Sequence, residues 1–146
     1  MSSCNDLIMW ERLDGLRDYA PITVRLGVSA VFLWFGVNQL LFPANFIGYL
    51  PQFLFDSAFA TQAVLLNGAF EVVFGLALVI GFFTRWVALL LGLHLFGITL
   101  TLGYGEIAVR DFGLTLATLS IFLWGDDKWC LDYRRKQKKE KSNTTI

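Results

Sequence analysis

The sequence predicts an all-α, polytopic membrane protein with four transmembrane helices in an antiparallel bundle and both termini cytoplasmic. Of its 146 residues, 55% are hydrophobic and 16% aromatic, and mean hydropathy is +0.56, too apolar for a soluble domain. Four apolar stretches, about residues 22–42, 63–83, 86–104 and 108–124, approach the roughly 20 residues that cross a bilayer core. Alternation of the kind a barrel strand needs is absent, so helices are the structures left that satisfy their backbone groups in hydrocarbon.

The elements follow in order. Residues 1–21 read as a cytoplasmic interfacial segment: Met9, Leu13, Leu16 and Ala20 share one helical face opposite Glu11, Asp14 and Asp18, and Pro21 ends the pattern. Its charged start is unlike a cleavable signal peptide, so the first span is expected to be its own insertion signal. Residues 22–125 form the transmembrane domain. The first connection, Pro43 to Gln62, is long for a link between neighbouring helices and holds Phe46, Tyr49, Phe53, Phe55 and Phe59 between proline breaks. Two readings stay open for it: an interfacial or re-entrant membrane anchor, or a lid over a lipid-soluble ligand. Residues 126–146 form a basic cytoplasmic tail with seven of the twelve Lys and Arg residues, solvated and drawn to anionic lipid by about 1 kcal/mol per basic residue. Arg12, Arg17 and Arg85 agree with the tail on orientation, and the first connection has no Lys or Arg. Arg110, beside the third connection, weighs slightly against.

Cys4 and Cys130 are far apart, form no Cys-x-x-Cys motif and fall on the cytoplasmic side, where thiols stay reduced. Dinucleotide fingerprint, P-loop and nucleophile elbow are missing, and the single His94 supplies at most one metal ligand. The chain therefore has no self-contained catalytic motif, and no metal, covalent cofactor or nucleic-acid partner is expected.

Chemistry is concentrated instead inside the membrane, above all at Glu71, because ionisable side chains at that depth are costly and mark candidate functional sites. Helical spacing aligns Arg25, Ser29, Phe32, Gly36 and Gln39 on the first span, and Asn67 or Gly68, Glu71, Gly75 and Leu78 on the second. It also aligns His94, Gly97 and Thr101 on the third, and Asp111, Thr115, Thr118 and Phe122 on the fourth. Small and polar residues mark helix contacts in membranes, so the four stripes are expected to face a shared interior. A rise of about 1.5 Å per residue puts Arg25 some 13 Å from Glu71 along the membrane normal. Arg25 is therefore expected to snorkel to the inner surface as an anchor and meet Asp126 or Asp127. His94 and Arg110 become the candidate partners of Glu71, with Asp111 competing for Arg110. The polar site candidates are thus Glu71, His94, Arg110, Asp111, Gln39 and Asn67.

These residues also carry a resemblance. Arg25 followed by Gly36-x-x-Gln39-Leu40, then Gly68-x-x-Glu71-x-x-x-Gly75-x-x-Leu78-x-x-Gly81, Thr84-Arg85 and a fourth span opening on Arg110-Asp111, resembles the DoxX family over about residues 22–125. The resemblance implies a four-helix bundle in a prokaryotic cytoplasmic (inner) membrane. Members resemble subunits of thiosulfate:quinone oxidoreductase and terminal quinol oxidase complexes, or anchors in thiol-redox complexes. Many members have Lys where this chain has Gln39, so the cation that would offset Glu71 is missing. The expectation is a membrane subunit of a quinone-linked or thiol/sulfur-linked oxidoreductase complex, with protein partners or as a homo-oligomer, in which the polar interior binds a quinone or carries protons to it. The alternatives are a noncatalytic assembly protein whose stripes only specify packing, and a small solute or proton carrier.

Overall fold

The computed structural model describes residues 16–143. A 3-10 turn, Arg17–Tyr19, runs directly into α1, Ala20–Leu41. Pro21 sits in the first turn of α1, where its missing amide hydrogen costs nothing. It therefore begins the first span instead of ending a separate surface helix. Of that expected amphipathic face, Met9 and Leu13 lie outside the described residues, and Leu16 is exposed. The first connection folds as a 3-10 segment, Pro43–Tyr49, and a one-turn helix α2, Gln52–Phe55. Helices α3 (Ala60–Ile80), α4 (Thr84–Leu102) and α5 (Glu106–Trp124) follow. With α1 they are the four described helices long and apolar enough to cross a membrane. The last element is α6, Leu131–Asn143.

The spanning helices pack as two close pairs, α1 with α3 and α4 with α5, and the pairs meet each other less extensively. Glycine sets the first pair. A β-carbon at Gly36 would lie 2.8 Å from the Gly68 carbonyl oxygen, and one at Gly68 would lie 2.8 Å from that of Gly36, so the backbones touch as small residues permit. An apolar core that includes Phe32, Leu78, Leu91 and Ile121 joins the pairs, while Trp34, Leu66, Trp86 and Leu123 point outward to the lipid.

One end of the bundle is tightly closed. Gly81, at φ +73°, ends α3: its N–H reaches the Leu78 carbonyl (3.2 Å) and that of Phe82 reaches Ala77 (2.9 Å), the paired bonds of a glycine-terminated helix. The next turn holds Phe83 at φ +48°, a left-handed conformation that costs a side-chain-bearing residue about 1–2 kcal/mol. Arg25 is buried beneath this turn. Its guanidinium donates to the carbonyls of Leu78 (2.7 Å) and Val79 and to the Asp127 carboxylate (2.7 Å). A cation is thereby placed on the negative end of α3.

Arg25 is thus an interior cap and not a snorkelling anchor, because the chain after α5 folds back across the bundle end. Asp132 accepts a bond from the Thr84 amide at the start of α4 (3.0 Å) and donates its own N–H to the Gly81 carbonyl (3.2 Å). Cys130 is buried against Gly81 and receives the Thr84 hydroxyl (3.4 Å). Trp129 stacks on Tyr19, and Lys128 pairs with Asp18. The expectation of a solvated tail from residue 126 is corrected accordingly: residues 126–132, which include the start of α6, pack on the bundle, and the exposed basic run is the rest of α6.

Candidate functional site

The close approach of Gly36 and Gly68 brings Gln39 of α1 beside Asn67 and Glu71 of α3. Gln39 Nε2 donates to Glu71 Oε2 at 3.1 Å, and Asn67 Nδ2 donates to Glu71 Oε1 at 3.0 Å and to Gln39 Oε1 at 2.7 Å. Two amides therefore satisfy the buried carboxyl group, one on each oxygen. This answers how Glu71 is accommodated with Gln at position 39: amide donors stand where a cation would otherwise be needed.

His94 approaches from α4. Its Nε2 lies 3.8 Å from Glu71 Oε1, beyond hydrogen-bond distance, and its ring packs on Phe70 with centroids 4.6 Å apart. Nε2 is buried and has no hydrogen-bond partner among the described residues. Arg110 does not reach Glu71 as a partner from above. It forms a 2.8 Å pair with Asp111 on its own helix and lies over the Phe35 ring, 5.1 Å from the centroid. Asp111 wins the competition because it is the adjacent residue and is itself buried. Arg25, bonded near residues 78 and 79, sits at the other end of α3, about 11 Å from Glu71 along the helix.

A cavity of about 600 Å³ joins these groups. Gln39, Asn67, Glu71, His94, Arg110 and Asp111 all line it, while Val28, Phe32, Phe35, Ile98 and Leu114 give it apolar walls. The third-span stripe faces the shared interior but is not the packed face of its helix. His94, Gly97 and Thr101 line this cavity, whereas α4 is buried through Thr84, Val87, Ala88, Leu91, Gly92 and Leu95. The first connection covers the cavity with Phe46, Tyr49, Leu50, Pro51 and Leu54, and turns Phe53, Phe55 and Phe59 outward. It is thus both a cover for the cavity and an apolar outer face. Sequence reasoning missed Leu50 and Leu54 as lining residues; their spacing of four about Pro51 was the available signal. Among the described residues no cluster of His, Cys, Asp or Glu is arranged to hold a metal ion.

A family model for DoxX matches residues 20–103. The chain belongs to the DoxX family. No curated protein and no solved structure matches it. The family match, together with four spanning helices, makes this DoxX protein a multi-pass protein of a lipid bilayer. Gln39, Asn67, Glu71 and His94 fall within the matched residues, and Arg110 and Asp111 lie beyond them on α5.

Proposed function

We propose that this DoxX protein is a membrane subunit of a redox complex, quinone-linked or thiol/sulfur-linked, whose cavity around Glu71 and His94 holds a quinone head group or passes protons to one. The observation that carries the reading is His94 Nε2: a buried polar atom without a hydrogen-bond partner among the described residues, 3.8 Å from a carboxyl oxygen of Glu71, on the wall of a cavity of about 600 Å³. That volume suits a small organic ligand, and apolar walls with a few converging polar groups are the usual form of such sites. A quinone, when bound, supplies a carrier for two electrons and two protons.

The residues of this chain supply the rest. His94 Nε2, carrying the ring proton, would donate a hydrogen bond to a carbonyl oxygen of the head group and pass that proton to it. Once Nε2 has given up its proton, Glu71, fixed by Gln39 and Asn67, would return one to the same nitrogen across the 3.8 Å gap as the two close to hydrogen-bond distance. Phe32 and Phe35 would flank the ring, and the Phe46–Leu54 segment would exclude water. Electrons would come from a partner subunit. The Lys and Arg distribution supports placing both termini in the cytoplasm, and membership of the DoxX family supports a prokaryotic inner membrane as the bilayer.

The test uses Gly97. A β-carbon there meets nothing within 4 Å, and the residue lines the cavity. Gly97→Leu should fill the site without lowering stability, since Gly in a helix interior costs about 1 kcal/mol relative to better helix formers. Gently solubilised wild-type protein is expected to carry quinone detectable by mass spectrometry, and the variant is expected to lose it. Equal quinone content in both, or none in either, sinks the reading. A second reading, a noncatalytic assembly role, is favoured by the Gln39–Asn67–Glu71 bonds tying α1 to α3. It predicts that Glu71→Gln lowers the amount of assembled complex while leaving turnover per complex unchanged.

A further inference from the structure

On the lipid-facing side of α3 and α4, away from the polar cavity, runs a second depression of about 410 Å³. Its walls are almost wholly apolar, with Val73, Ala77 and Leu90 along its length and Phe82, Phe83 and Trp86 at its end. Val73, Phe83 and Trp86 are 60%, 56% and 68% exposed, so the groove opens outward to the bilayer. Phe83 contributes its ring from the left-handed turn at φ +48°, a conformation that a residue with a side chain adopts only where its surroundings impose it.

The basic helix begins at the same place. The guanidinium of Arg135 lies over the Phe82 ring, 5.5 Å from its centroid. Phe82 is therefore shared between the groove and α6. Lys138 and Lys139 follow Arg135 by three and four residues, so the three cations share one face of α6. Lys136 lies off that face, paired with Asp126. The root of α6 is fixed to the turn by the bonds of Asp132 to Thr84 and Gly81, which holds the basic face beside the end of the groove.

We propose that this groove and the Arg135 face of α6 form a binding site for an anionic phospholipid, with an acyl chain along Val73, Ala77 and Leu90 and the headgroup phosphate on Arg135, Lys138 and Lys139. Charge complementarity selects the occupant. Arginine and lysine near the membrane surface attract acidic headgroups, and a guanidinium can bond two phosphate oxygens at once. The groove offers almost no polar surface to the backbone of a peptide segment.

The full chain, delipidated in neutral detergent, is incubated with phosphatidylglycerol or phosphatidylcholine of identical acyl chains and read by native mass spectrometry. Phosphatidylglycerol is expected to bind at least tenfold more tightly. Two variants should each remove that preference: R135Q/K138Q/K139Q, which discharges the helix face, and Val73→Trp, which fills the groove at an exposed position. Equal retention of the two lipids by the wild-type protein overturns the site, and needs no variant to fold. Loss in the charge variant with full retention in Val73→Trp also overturns it, because attraction to a basic tail alone would then account for binding. So does displacement of bound lipid by millimolar inorganic phosphate, which would mean that the acyl chain adds nothing, and so does a groove covered by a second copy in a stable dimer.

Discussion

Glu71 and Arg25 are both buried in the bundle, and their neighbours satisfy them by different means. Glu71 receives two amide N–H groups and, among the described residues, no bond from a Lys or Arg. Glu71→Gln keeps an acceptor in the cluster and should cost about 1 kcal/mol, whereas Glu71→Leu strands the Gln39 and Asn67 donors at about 1–3 kcal/mol each. Thermal unfolding in detergent should therefore rank wild type, then Glu71→Gln, then Glu71→Leu. Arg25 has a full countercharge. Burial pushes the Asp127 carboxyl up, but the Arg25 hydrogen bond, the Trp129 amide and the Arg25 charge together outweigh it and hold the group below its ordinary value. A carboxyl whose folded pKa is depressed adds stability that is complete above the unfolded value of about 3.9 and is lost as pH falls through the lower folded value. The melting temperature should drop across that acid range in wild type and stay flatter in Asp127→Asn. Arg25→Leu, which leaves Asp127 buried alone, should cost about 3–5 kcal/mol at neutral pH.

At the scale of elements, the α1–α3 contact places the polar cluster. A β-carbon at Gly68 would meet the Gly36 carbonyl at 2.8 Å and Gln39 Cβ at 2.9 Å, so Gly68→Val must push α1 away and carry Gln39 off Glu71. Overpacking of this kind costs about 1–3 kcal/mol, and the variant should melt lower and lose any ligand of the cavity together. This face was legible in the sequence: Arg25, Ser29, Phe32, Gly36 and Gln39 repeat at helical spacing, and all are buried. The packed face of α4 was not. Val87, Ala88, Leu91 and Leu95 are apolar, as are the lipid-facing residues around them, and in a bilayer both environments select the same side chains. Its polar stripe of His94 and Thr101 drew the inference, and that stripe lines the cavity. Depth counted along a straight helix brought Arg25 to the right end of the bundle, but it carries no information on a later segment folding back over that end. The pairing of Arg25 with Asp127 was legible in this way, but the burial of that pair by the returning segment was not, for that reason.

Across the whole molecule the two ends of the bundle differ in kind. One is hollow and roofed by the Pro43–Phe55 connection, and the other is filled by Arg25, Asp127 and Cys130. Cys130 reports on the filled end. It is completely buried, and burial pushes its thiol up, with the Thr84 hydroxyl and the Asp127 backbone offsetting only part of that rise. Since the thiolate is the reactive form, a maleimide should label Cys130 slowly in the native protein once Cys4 is replaced by Ser. Gly81→Ala should release it. The new methyl would stand 2.6 Å from Cys130 Cα, at a residue with φ +73°, combining about 1–2 kcal/mol of backbone strain with about 1–3 kcal/mol of overpacking. Both penalties fall on the turn that Asp132 and Arg25 hold in place, so the returning segment is the part that must move. Labelling of Cys130 should then speed up at least tenfold, while ligand retention in the cavity is kept, because Glu71 and His94 lie some two to three turns away along α3 and α4. Loss of both together would mean that the ends are coupled, with closure of the filled end acting on the shape of the hollow one.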